Sequence, residues 1–217
     1  EGQVTNASFL VEADGDWAMR YDKVHLVPWG EYVPMSWLFR FVAPLVDAVG
    51  NFRRGTGDQA LFTDPDGGIP PFAMAICYEI VFPDHVRRQV ARGATFLATI
   101  TNDAWFGDTS APYQHFSMAQ MRAVETRRYL VRVANTGISG FVDPWGRVLK
   151  STALNESALL LAEILPSEET TLYVAVGDAL PQLCVVLALA GVVFYHLRPL
   201  TSPQPPTKRS DEDVRET

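Results

Sequence analysis

Cysteine is scarce: Cys77 and Cys184 are the two in 217 residues, which excludes a disulfide-dense scaffold. Neither stands in a CxxC pair. The four histidines, His25, His85, His115 and His196, are scattered, with no two at the i, i+4 spacing of a helical metal site. No metal and no cofactor are expected. Basic charge is also short, with 18 Lys and Arg against 25 Asp and Glu and a net charge of −7. That balance argues against non-specific binding to a phosphate backbone, so no nucleic-acid partner is expected. No leader-type segment precedes the first apolar run at Ala7–Val11, and Glu1 rather than methionine opens the chain. The sequence reads as a piece whose natural N-terminus lies upstream.

What is present is apolar: 47% hydrophobic and 20% charged residues describe a globular chain rather than a disordered one. Residues 1–165 carry β-rich runs at Phe9–Glu12, Phe72–Ile76, Thr95–Thr101, Tyr129–Ala134, Ile138–Val142 and Ala158–Ile164. Helices are expected over Pro83–Ala91, with Asp84 at its start and Gly93 past its end, and over Tyr113–Arg128. Hairpin-type turns are expected at Ala13–Asp16 and Asp143–Gly146. Strands alternating with helices predict a layered α/β sandwich. Residues 35–52 place Trp37, Leu38, Phe41, Val42, Leu45, Val46 and Val49 at helical spacing, broken by Pro44. This segment reads either as a core-packing helix or as an aromatic arm touching lipid.

The composition changes after residue 165. Residues 166–178 are read as a linker. Ala179–Leu197 then runs for nineteen residues without Asp, Glu, Lys or Arg. At helical rise that spans roughly 28 Å, close to the hydrocarbon thickness of a bilayer. A single transmembrane helix is predicted. Residues 198–217 are proline-rich and charged and read as a disordered tail. Ser151–Leu197 holds no Lys or Arg, whereas Arg198, Lys208, Arg209 and Arg215 follow the span. The positive-inside rule therefore puts the tail in the cytoplasm and the α/β domain outside.

Three segments carry candidate chemistry. Cys77 ends the apolar run Phe72-Ala-Met-Ala-Ile-Cys-Tyr-Glu79, a strand delivering a thiol into a turn before a helix, as in a nucleophile elbow; a buried inert thiol is the plain alternative. Glu79 reads as a neighbour of the thiol or as an acid at a helix N-terminus. Tyr21-Asp-Lys-Val-His-Leu-Val-Pro-Trp-Gly-Glu31-Tyr-Val-Pro34 offers Lys23, whose ammonium would favour a thiolate and hold an oxyanion, and Glu31, a proton acceptor. Each alone is also an ordinary surface charge. Thr101-Asn-Asp-Ala-Trp-Phe-Gly107 places Asn102, Asp103 and Trp105 after a strand, where α/β sheets build sites; a capping turn is the alternative for Asp103.

These segments, with Gln114-His115, Arg122-Ala-Val-Glu125-Thr-Arg127 and Asn135-Thr-Gly-Ile-Ser139, occur in one order over residues 9–165. Together they resemble the nitrilase superfamily and, within it, the apolipoprotein N-acyltransferases. The membrane span after the domain is similar to that branch and foreign to soluble nitrilases. The resemblance implies an αββα sandwich, truncated on its N-terminal side and followed by the transmembrane helix. It also implies a Glu–Lys–Cys catalytic set: Cys77 as nucleophile, Lys23 as catalytic lysine and Glu31 as a supporting glutamate. Tyr78 and Glu79 stand beside the nucleophile, the Tyr78 N–H joining Lys23 at the oxyanion. Asn102, Trp105, Trp37 and Phe41 are the substrate-pocket candidates. The implied reaction moves an acyl chain from a phospholipid, through a cysteine thioester, to the amine of the diacylglyceryl-cysteine of an apolipoprotein. The implied location is the bacterial inner membrane, as a monomer with a periplasmic catalytic domain. The family's general-base glutamate lies upstream of the lysine and has no matching motif here, so the piece alone is expected to be inactive. The other readings are a nitrilase-type amidase or carbamoylase, and a membrane-tethered interaction domain without activity.

Overall fold

The computed structural model describes residues 4–35, 52–64 and 67–197. They form two units, one ending at Asp178 and one beginning at Ala179. In the first, strands β1 (Ala7–Val11) and β2 (Trp17–Asp22) pair antiparallel. A second sheet holds β3 (Phe72–Ile76), β4 (Phe96–Thr101), β5 (Leu130–Ala134), β6 (Gly140–Val142) and β7 (Val148–Ser151), in that spatial order. β3, β4 and β5 are parallel, and β6 and β7 return antiparallel. Helices α1 (Pro83–Ala91) and α2 (Ala111–Thr126) are the crossovers of the parallel strands, as βαβ geometry requires.

Strand parity sorts the core. Ala73 and Ala75 face a cluster with Val86 and Val90 of α1 and Phe116, Ala119 and Ala123 of α2. Phe72, Met74 and Ile76 face the opposite way, onto Tyr21, Leu10 and Met19 of the small sheet. All five residues of β3 are buried, which explains why it reads as a continuous apolar run rather than an alternating one. Helices, five-stranded sheet and two-stranded sheet are thus stacked as successive layers.

β3 is an edge strand, and its outward amides are all satisfied. The N–H groups of Phe72, Met74 and Ile76 donate to the Phe62 carbonyl at 2.8 Å, Gln89 Oε1 at 3.0 Å and Glu79 Oε2 at 2.7 Å. A buried edge left bare would cost a hydrogen bond's worth of free energy at each amide.

Two sequence expectations shift. Ala158–Ile164 is extended but belongs to no ladder among the described residues; its inward–outward alternation is a local property, whereas a strand needs a neighbour. Residues 166–178, read as a linker, pack on the sandwich. Ser167 N–H donates to the Thr95 carbonyl, Arg128 to the Glu169 carbonyl, and Val174 of a short helix α3 (Leu172–Val176) is buried in the main core.

The second unit contains α4 (Ala179–Leu197), a nineteen-residue helix with a mean hydropathy of 1.9 and no buried residue. Among the described residues it is the one helix long and apolar enough to cross a membrane.

Candidate active site

The carboxyl ends of the three parallel strands converge on one edge, where open α/β sheets bind ligands. β3 delivers Cys77, β4 delivers Asn102 and Asp103, and β5 leads to Asn135. Cys77 opens a 3-10 turn, Cys77–Val81, and has φ 53°. A left-handed conformation is costly for a residue with a Cβ, and it persists only where the surroundings impose it. The Cys77 thiol is half-buried and unpaired with any other cysteine.

Glu79, two residues on, is what joins this turn to the lysine loop. Its carboxylate is fully buried and accepts from Ile76 N–H at 2.7 Å, Val24 N–H at 2.5 Å, His25 N–H at 3.0 Å and the Tyr21 hydroxyl at 3.0 Å. The backbone just past Lys23 is therefore bound to the turn that begins at Cys77. Both Glu79 oxygens are engaged by the chain itself, so this residue pins the site together. Burial pushes its pKa above the ordinary glutamate value, and the surrounding donors recover part of that cost.

Lys23 is almost wholly buried, with its side chain 1% exposed, and its ammonium donates to Glu31 Oε1 at 2.9 Å and Oε2 at 2.8 Å. An ammonium taken from water needs such a partner. Glu31 also accepts from Val27 N–H and Asn6 Nδ2. Burial alone would raise the Glu31 pKa; its bonds to Lys23, Val27 and Asn6 outweigh burial and hold it below the usual range. The Lys23 backbone is enclosed as well: its carbonyl accepts from Gly55 N–H, and a Cβ at Gly55 would collide with the Asp22 carbonyl.

A second buried polar cluster lies behind Cys77. Asp103 accepts from Thr101 Oγ1 at 2.7 Å and Arg132 Nη2 at 2.8 Å, and its Oδ1 is 3.0 Å from His115 Nδ1. His115 Nε2 is 3.2 Å from the Cys77 carbonyl oxygen. Burial opposes the Asp103 charge, but His115, Thr101 and Arg132 prevail and keep its pKa below the ordinary value. Burial lowers the Arg132 pKa, while Asp103 and then Cys77 pull it back.

The remaining candidates separate. Tyr78 follows Cys77 and packs edge-on against Phe82 at 5.1 Å. Asn102 is exposed and caps its own turn by accepting from Ala104 N–H at 3.2 Å. Trp105 is 83% exposed. Trp37 and Phe41 lie outside the described residues. A cavity of about 410 Å³ is lined by Val24, His25, Phe82, His85 and Arg88 among others, and by none of Cys77, Lys23 and Glu31. No group of His, Cys, Asp or Glu suited to a metal ion occurs among the described residues.

Tyr21, His115 and Arg132 are not singled out as site residues by the sequence. The signal for Arg132 is its parity: in Leu130-Val-Arg-Val-Ala134 it shares the inward face with Leu130, and both are buried. A charge on the buried parity of a strand demands a buried partner.

The carbon-nitrogen hydrolase family model matches residues 1–172. The chain belongs to the carbon-nitrogen hydrolase family. Over 191 residues it is 44% identical to an apolipoprotein N-acyltransferase of Geobacter metallireducens, covering 87% of this chain and 36% of that protein. A protein of the same name from Pseudomonas paraeruginosa is 38% identical over 85% of this chain and 36% of its own length. One from Gloeobacter violaceus is 39% identical over 89% and 36%. The family member described here spans about a third of the length of these relatives. Among solved structures, a cysteine-to-alanine mutant of a Nesterenkonia amidase from the nitrilase superfamily superposes with a TM-score of 0.54 at 24% identity, over 83% of this chain and 61% of that one. A carbon-nitrogen hydrolase of Helicobacter pylori gives 0.51 at 16% identity, over 70% and 54%. These two likenesses concern the fold.

Proposed function

We propose that this chain is the catalytic portion of an acyltransferase that moves a fatty acyl chain from a phospholipid to the N-terminal amine of a diacylated apolipoprotein. The observation that carries the reading is the left-handed Cys77 turn tied through Glu79 to the loop bearing a buried, ion-paired Lys23. The names of the relatives and the nineteen-residue apolar helix support the lipid substrates.

Cys77 thiolate attacks the ester carbonyl of the phospholipid; an S–C bond forms, and the carbonyl π electrons move to oxygen. Lys23 and the Tyr78 N–H hold that oxyanion, each donor contributing about 3–4 kcal/mol. Collapse breaks the C–O ester bond, releasing the lysophospholipid, whose alkoxide takes a proton from a general acid. The lipoprotein amine then attacks the thioester, a C–N bond replaces the C–S bond, the proton lost by the nitrogen passes to the conjugate base of that general acid, and the thiolate returns. Glu31 keeps the Lys23 ammonium oriented throughout. The donor, the acceptor, the monomeric state, the inner-membrane location with a periplasmic domain and the cytoplasmic tail all belong to this proposal.

The test uses the protein at the full length its gene encodes, in vesicles of labelled phospholipid. Mass spectrometry is expected to find one acyl chain on the peptide bearing Cys77, and none in Cys77→Ala. An acylated Cys77→Ala protein overturns the assignment. Turnover of small amides without lipid, and no acyl-enzyme from phospholipid, replaces it with the amidase reading.

A further inference from the structure

The His115–Asp103–Arg132 cluster points to a function in the chemistry that the mechanism above does not use. Its three residues and the one they meet come from four segments: Asp103 from the turn after β4, His115 from α2, Arg132 from β5, and Cys77 from the turn after β3. Asp103, His115 and Arg132 are all buried. The Arg132 side chain is fully enclosed; its Nε donates to the Ile138 carbonyl, its Nη2 to Asp103, and its Nη1 finds no partner. A charged group so placed is costly unless something requires it. Gly137 closes over the cluster, and a Cβ there would collide with Asp103 Oδ2.

The far end of this chain of contacts is the Cys77 carbonyl, 3.2 Å from His115 Nε2. That carbonyl and the Tyr78 N–H belong to one peptide group. The group is planar and trans, as no cis bond occurs among the described residues, so its C=O and N–H point in opposite directions. A clamp on the carbonyl therefore aims the N–H. Because Cys77 is left-handed, with φ 53°, this peptide would otherwise relax toward a more favourable orientation.

We infer that His115, carrying a proton on each ring nitrogen so that its Nδ1–H donates to Asp103, is a positioning residue for the oxyanion site: its Nε2–H donates to the Cys77 carbonyl and so directs the Tyr78 N–H at the developing negative charge. The inference rests on the reading of Cys77 as nucleophile. His115 itself touches neither the substrate nor the sulfur.

Two reactions of the same thiol separate this function from a packing role. Acylation by a p-nitrophenyl ester passes through an oxyanion. Alkylation by iodoacetamide does not. Both are followed by mass spectrometry of the peptide bearing Cys77, in the protein at the full length its gene encodes and in detergent, so that other thiols do not enter the readout. In His115→Asn the amide nitrogen falls near Nδ1, keeping Asp103 and losing the carbonyl; in His115→Gln it falls near Nε2. His115→Asn is expected to slow acylation about a hundredfold, the scale of one oxyanion donor, and to leave alkylation within about threefold. His115→Gln is expected to recover acylation to within about tenfold of the parent. Parental acylation in His115→Asn overturns the inference. So does an equal loss in both variants, or alkylation falling in step with acylation, as an unfolded or collapsed site would give. If Cys77 is not the nucleophile, acylation persists in Cys77→Ala, which separates failure of that reading from failure of this one.

Discussion

Two buried carboxylates flank Cys77, and they are kept in opposite ways. Asp103 is held by a cation, Arg132, with His115 and Thr101 adding hydrogen bonds, and its pKa falls. Glu79 has no cation among its hydrogen-bond donors; it is held by three backbone N–H groups and the Tyr21 hydroxyl, and its pKa rises. His85 lies 4.0 Å from Glu79 but is pushed down to about 4 by burial and by the nearby His25, Arg92 and Arg88, so the pair carries no ionic bond at neutral pH. The contrast has a physical origin. Backbone amides come with the chain and fix the path of the segments that carry them, whereas a side-chain cation answers charge more fully but binds only itself. Glu79 therefore serves to join the lysine loop to the Cys77 turn. Asp103 serves to hold a histidine and an arginine.

Removing the cation is the sharpest way to break this contrast. Arg132→Met leaves Asp103 buried without its partner and is expected to cost about 3–5 kcal/mol of unfolding free energy, read by urea denaturation. No single side-chain deletion has that effect at Glu79, because most of its donors are main chain. A pH series tests the other side. The folded pKa of His85 lies below its unfolded value, so the unfolded chain binds the extra proton and stability falls as pH drops from 6.5 to about 4. At about 1.4 kcal/mol per unit the loss approaches about 3 kcal/mol, and His85→Gln is expected to flatten that part of the profile. Glu79→Gln is expected to cost about 1–3 kcal/mol, since an amide –NH2 would face backbone N–H groups that need an acceptor. It should also raise the mobility of residues 23–25, read by hydrogen exchange at Val24 and His25. The smallest effect belongs to the surface: Arg88, paired with Asp84 at 2.7 Å with its side chain 72% exposed, should lose no more than about 0.5 kcal/mol as Arg88→Ala.

Much of the framework is legible in the residues. The helix at Pro83–Ala91 and the strand at Phe72–Ile76 have the bounds their patterns imply, because a proline start, a glycine stop and an unbroken apolar run are local signals. β2 is not legible in this way: Trp17–Asp22 is not among the expected strands, and its pairing with β1 depends on a register that no local pattern contains. For Asp103 the residues leave a cap and a site residue equally open. The structure gives the capping to Asn102 and buries Asp103 in the Arg132 cluster. Trp37 and Phe41, offered for the substrate pocket, lie outside the described residues.

By itself the sequence determined composition-level and local properties: a layered α/β chain, a thiol at the end of an apolar strand, a dense Lys–Glu loop, and a nineteen-residue apolar run. Each follows from propensity, periodicity or length, which neighbouring residues set among themselves. The tertiary structure alone decided who pairs with whom. Tyr21 reaches Glu79 across 58 positions and Arg132 reaches Asp103 across 29. Such contacts answer the cost of burying charge far from water, and which groups share that cost is settled only when segments from distant parts of the chain are paired within a sheet or packed between the two sheets.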